Sequence, residues 1–139
     1  MMKISITLFA AALLSASVFA QEADKPADTQ AQATKLSKDE LQSFIPGTKV
    51  HHVIQSGSSR TWTNEPDGKF VASTDSKKYS MTGAGSTGHG SWRISDDGKY
   101  CIEIDWKRDS EKWCSFVWRT EKGYALGADG PKKPIEFSK

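Results

Sequence analysis

Short β-rich runs recur between turn signals along most of this 139-residue chain. Positions 48–55, 60–64, 69–74, 78–81, 91–95, 99–106, 112–119 and 124–126 carry them. Between them lie Ser56-Gly57-Ser58, Pro66-Asp67-Gly68, Asp96-Asp97-Gly98, Asp109-Ser110 and Lys122-Gly123, combinations that favour turn geometry. Strands this short and this evenly spaced predict an antiparallel meander, curled into a half-barrel or a small closed barrel. A parallel sheet needs long amphipathic crossovers, and the chain offers none. The predicted fold is mainly β, or α+β by strict count.

One helix precedes the strands. Ser37 is a good N-cap with Glu40 three residues on, and Leu36 and Leu41 occupy the staple positions around this capping box. The helix is expected over 38–44, stopping before Pro46-Gly47. A helix this short is marginal alone in water and must dock; Leu41, Phe44 and Ile45 supply its apolar edge.

The first twenty residues read as a cleavable secretory signal. Lys3 gives a positive start, positions 4–19 are largely apolar, and Val18-Phe19-Ala20 gives a small-x-small cleavage pattern. The apolar stretch is shorter than the roughly 20 residues a spanning helix requires, so no membrane span is expected after cleavage. Residues 21–35 hold no large apolar group and read as a flexible leader. Residues 36–139 are expected to form a single β-rich domain ending in a loose tail around Lys132 and Lys133. The expected address is the periplasm or the exterior, and the expected state is a monomer. With 19 Lys+Arg against 17 Asp+Glu, the chain lacks the clustered basic face that nucleic acid requires.

Export decides the chemistry of the two cysteines. Cys101 and Cys114 mature in an oxidising compartment, where a disulfide persists, and with no third cysteine only one pairing exists. If they face each other across a hairpin, Glu103 faces Lys112 and Ile102 faces Trp113, a register that also pairs opposite charges. Alternation then puts Tyr100, Ile102, Ile104, Trp106, Trp113 and Val117 on the core face. The other face carries Cys101, Glu103, Asp105, Lys112, Cys114, Phe116 and Trp118. Either the helix covers Phe116 and Trp118 through Leu41 and Phe44, or the two form an exposed aromatic patch for a ligand or partner.

Several stretches imitate catalytic motifs. Gly83-Ala84-Gly85-Ser86-Thr87-Gly88 matches the dinucleotide fingerprint letter for letter, but that chemistry requires a following helix. His89-Gly90-Ser91-Trp92 opens a strand instead, so the Gly-rich run is expected to be a flexible loop or lid. His51 and His52 are adjacent on a strand and point to opposite faces, and with His89 they make a poor ligand set for a metal. No Gly-x-Ser-x-Gly elbow accompanies the many Ser and Thr residues. Asp96-Asp97 is explained by its turn, and Glu103/Asp105 by a polar strand face. Trp92, Trp106 and Trp113 alternate as core residues do, which leaves Trp62 and Trp118 less determined. No catalytic residue, cofactor or metal is expected. Phe116, Trp118, Trp62 and His89 are the candidate ligand or partner surface.

Three stretches together resemble the domain of unknown function 995 family, a small family of exported proteobacterial proteins. They are 36–48, whose helix is followed by Gly47-Thr48 after Pro46; Glu65-Pro66-Asp67-Gly68-Lys69; and 90–101, with the pattern Gly-x-Trp-x-x-x-Asp-Asp-Gly-x-x-Cys and Cys114 following. The resemblance spans about residues 36–119. It implies an exported β-rich domain and brings no activity or catalytic residues with it. The resulting expectation is a non-enzymatic exported binding module, its concave face partly closed by the 82–90 loop over a small ligand or envelope component. The alternative is a protein–protein accessory or inhibitor of an envelope enzyme.

Overall fold

Residues 32–79 and 85–139 are described by the structure, a computed structural model. After β1 (Thr34–Lys35), helix α1 (Lys38–Phe44) starts with the capping box intact: Glu40 N–H donates to Ser37 Oγ and Ser37 N–H donates to the Glu40 carboxylate. Strands β2 (Lys49–Val53), β3 (Ser59–Thr63) and β4 (Lys69–Thr74) follow. A 3₁₀ turn (Lys77–Tyr79) leads towards β5 (Ser86–Ile94), β6 (Tyr100–Asp105) and β7 (Ser110–Ser115). The last strands are β8 (Val117–Thr120), β9 (Gly123–Leu126) and β10 (Lys133–Ser138).

These strands make one sheet in the order β1-β8-β9-β10-β2-β3-β4-β5-β6-β7, with every pairing antiparallel. Phe116 alone separates β7 from β8 along the chain, yet the two strands lie towards opposite ends of this order. The sheet must therefore curl until its ends approach, which makes it a half-barrel. Among the described residues the fold is mostly β with one short α-helix.

The cysteine hairpin has the expected register. Cys101 faces and is bonded to Cys114, Ile102 faces Trp113, and Glu103 faces Lys112. The predicted core face is the core: Tyr100, Ile102, Ile104, Trp106 and Val117 are buried, and Trp113 packs against them. Leu36, Leu41 and Ile45 join the same cluster as Val50, Trp62, Phe70, Leu126 and Ile135. Apolar side chains fill the inside of the curl, so the concave face is packed and is not the open ligand surface expected from the meander.

Four further expectations are corrected. The C-terminal run is no loose tail: β10 lies between β9 and β2, because Ile135 is buried and Phe137 packs against Phe44 and Tyr124. The 112–119 run is two strands broken at Phe116, where the chain changes partners from β6 to β9. The last leader residues, Thr34 and Lys35, pair with β8. The Gly-rich run is strand from Ser86 onward, not a loop or lid. Gly88 and Gly90 serve packing there: a Cβ on Gly90 would lie 2.0 Å from the Phe70 ring, and one on Gly88 2.8 Å from the Trp106 ring. The signal peptide, leader residues up to 31 and the run 80–84 lie outside the described residues. No helix among the described residues is long and apolar enough to cross a membrane.

Candidate functional site

The four residues expected to form a ligand or partner surface are not brought together. Trp62 is buried, a correction to its place in that set: its ring stacks on Phe70, and its indole N–H points at Asn64 Oδ1 and the Tyr100 hydroxyl, both at 3.0 Å. His89 is exposed on β5, opposite Val71 of β4 and Asp105 of β6. Phe116 and Trp118 are half-buried at the β7–β8 break, so neither sequence alternative describes them. Helix α1 does not carry their cover, since Leu41 enters the core and Phe44 packs against Tyr124 and, edge-on, Phe137. Instead the Lys35 and Lys99 ammonium groups sit 4.4 and 5.2 Å from the Phe116 ring centre, within cation–π range. Trp118 donates its indole N–H to the Gly127 carbonyl at 2.9 Å.

The residue that alternation alone could have singled out is His52. Strand β2 buries Val50 and His52 while His51 stays half-exposed. His52 is 5% exposed, and neither ring nitrogen meets a hydrogen-bond partner. Leaving a buried polar group unpaired costs about 1–3 kcal/mol. Its ring makes an edge contact with Trp113 of β7, 5.8 Å between centres. Burial first, and then the positive charges of Lys133, Arg60 and His51, pull its pKa down to about 4, so at neutral pH it is an uncharged imidazole with one donor and one acceptor.

His52 lines a cavity of about 370 Å³ at the open edge of the half-barrel. Trp113, Cys114 and Ser115 of β7 form one wall, and Leu126, Gly127 and Ala128 another. Lys132 and Lys133 complete the lining, and no carboxylate belongs to it. The β9–β10 turn that carries this wall is tight: a Cβ on Gly127 would lie 1.7 Å from the Gly130 carbonyl oxygen, so only glycine fits. The volume lies in the usual small-molecule range of roughly 300–1,000 Å³. The site thus combines a hydrophobic wall, two lysines and one buried polar group without a hydrogen-bond partner.

Two other groupings were candidates for chemistry. His51 Nδ1 lies 3.2 Å from Glu136 Oε2, and Thr61 faces His51 from the other side. This row of acid, imidazole and hydroxyl lies on the outer sheet face with side chains 43% and 78% exposed at His51 and Glu136. Among the described hydrogen bonds neither Thr61 nor Ser138 engages the imidazole, so the hydroxyl has no activating base. Inside the sheet, Arg60 is 1% exposed, bonds Thr74 Oγ1 at 2.8 Å and pairs with Glu111 at 3.3 Å. That pair ties β3 to β7 and reads as structure. Among the described residues, no group of three or more His, Cys, Asp or Glu could hold a metal ion.

The fold and site thus define a disulfide-stapled half-barrel that carries a short helix and a small edge cavity. A family model described as Protein of unknown function (DUF995) matches residues 10–120. The chain belongs to this family. No curated protein and no solved structure matches it.

Proposed function

We propose that this protein is an exported, non-enzymatic binding module for a small ligand in the cell envelope. The observation that carries the reading is His52: a buried imidazole with two unpartnered nitrogens, lining a cavity. Buried polar groups are normally satisfied, and a ligand with hydrogen-bonding groups supplies the missing partner. Export rests on the N-terminal sequence pattern and on the Cys101–Cys114 bond, which persists in an oxidising compartment. The test is native mass spectrometry of the protein purified from its own envelope fraction, with thermal-shift screening against envelope metabolites. A co-purifying or stabilising molecule supports the reading; its absence across a broad set sinks it.

A protein partner is the second reading. It is favoured by Val71, 59% exposed beside His89 in a groove across the outer faces of β3, β4 and β5. Crosslinking from a photoreactive residue at position 71 in the native envelope distinguishes it.

A further inference from the structure

We propose that the β7/β9–β10 edge cavity binds a small amphipathic carboxylate, its anionic head between His52 and Lys133 and its apolar body against Trp113 and Leu126. This rests on the small-ligand reading above and goes further, naming the site and the ligand class.

Three observations select that class. The cavity lining is charged on one side only: Lys132 and Lys133 contribute ammonium groups and nothing contributes an acid. Its wall otherwise consists of an indole, a leucine, the disulfide-bonded Cys114 and small residues, a surface that prefers hydrocarbon to water. The His52 N–H is buried without an acceptor, and a carboxylate is an acceptor-only group that also neutralises the rim. A cationic ligand would bring repulsion from Lys133 and Arg60 and offer no acceptor. A neutral alcohol could meet the imidazole but would leave the lysine charge unanswered.

The arrangement carries its own pH signature. The charged groups around His52 are Arg60 on β3, Lys133 on β10 and Lys132 at the cavity rim, with His51 next to it on its own strand but on the opposite face; Glu111 of β7 is engaged by Arg60. Apart from that engaged carboxylate, the set holds the imidazole uncharged. A bound carboxylate reverses the balance beside the ring and raises its proton affinity, so binding takes up a proton. A carboxylate that brings the imidazole from about 4 back to its ordinary 6.5 strengthens affinity by up to about tenfold as pH falls from 7.5 to 5.5, whereas a rise of about one unit yields less than about a 1.5-fold change.

Octanoate, 1-octanol and octylammonium, which share one chain and differ in head-group charge, make the probes. Each is titrated into the disulfide-intact protein, following the Trp113 indole and His52 imidazole signals by NMR and proton uptake by calorimetry in buffers of different ionisation enthalpy. Octanoate is expected to shift both signals and to bind at least about tenfold more tightly than the other two, as loss of one charge-assisted hydrogen bond predicts. H52L is expected to stay folded and lose about tenfold in octanoate affinity. His52→Gln retains a donor but cannot take a proton, so it is expected to bind with no pH dependence. Equal binding of 1-octanol or octylammonium in the cavity overturns the carboxylate class while the small-ligand reading stands. Octanoate shifts confined to other surfaces overturn the site. If octanoate binds nowhere while the envelope screen finds another ligand, this proposal falls alone; if both are empty, both fall.

Discussion

Tyr100 on β6 donates its phenol proton to Asn64 Oδ1 over 2.6 Å, inside a core where both residues are 0% exposed. The Asn64 amide in turn donates to Thr48 Oγ1 at 3.1 Å, and Thr48 donates to the Ile45 carbonyl at 2.6 Å. Burial pushes the phenol pKa up, so Tyr100 stays a neutral donor. The network joins the end of helix α1, the turn after β3 and the start of β6. Asn64→Leu removes the acceptor shared by the buried Tyr100 hydroxyl and Trp62 indole N–H, while Thr48 keeps the Ile45 carbonyl, and is expected to cost about 3 kcal/mol, against about 1 kcal/mol for Tyr100→Phe. Urea denaturation measures both, and the reverse order would contradict the assigned hub.

The Cys101–Cys114 bond closes a hairpin with a sequence separation of 13. A loop of this size is worth about 3 kcal/mol in chain-entropy terms. C101A/C114A is therefore expected to melt roughly 15 °C lower than the oxidised protein. Wild type in reductant should match the double variant by circular dichroism. A much smaller difference would mean that the hairpin is held by its side-chain pairs alone.

Gly90 is covered by Phe70. Gly90→Ala places a methyl 2.0 Å from that ring and is expected to cost about 1–3 kcal/mol by overpacking. Phe70→Leu opens the space, so the double variant should be more stable than the sum of the two single losses predicts. Simple additivity in this cycle would show that the contact is not the cause.

His52 sets the direction of acid sensitivity. Its folded pKa is about 4 and its ordinary value 6.5, so between these pH values the unfolded chain binds the proton that the folded chain refuses. Stability is then highest above pH 6.5 and falls as pH drops towards 4, by on the order of 3 kcal/mol, and the imidazole contributes no further slope below that. H52L should flatten the slope in this window. Stability measured by denaturant titration at half-unit pH steps checks it, and an unchanged slope in H52L would refute the assignment.

Much of the architecture is legible because local chemistry and burial agree. The capping box at Ser37 and Glu40 needs only four residues, and the Cys101–Cys114 register follows from alternation plus a single pairing. β10 was illegible for a physical reason: Lys132, Lys133 and Pro134 mask a short stretch whose place between β9 and β2 comes from Ile135 and Phe137 finding partners far along the chain. Gly88 and Gly90 read as a loop because glycine signals backbone freedom, whereas here it makes room for rings from neighbouring strands.

The candidate site divides the same way. Alternation separates His51 from His52, but that the Val50 face, with His52 on it, is the buried one came from the structure, and nothing local placed Trp113 at the His52 ring edge or Lys133 beside it. The sequence by itself determined the short-strand β class, the helix boundaries and the stapled hairpin, since each depends on periodicity or near-neighbour pairing. Only the tertiary structure decided that the curl is filled with side chains, that Trp62 belongs to the core and that the cavity beside His52 lies against β7. Those outcomes depend on which distant strands meet when the sheet closes around Phe116, and no local pattern encodes that meeting.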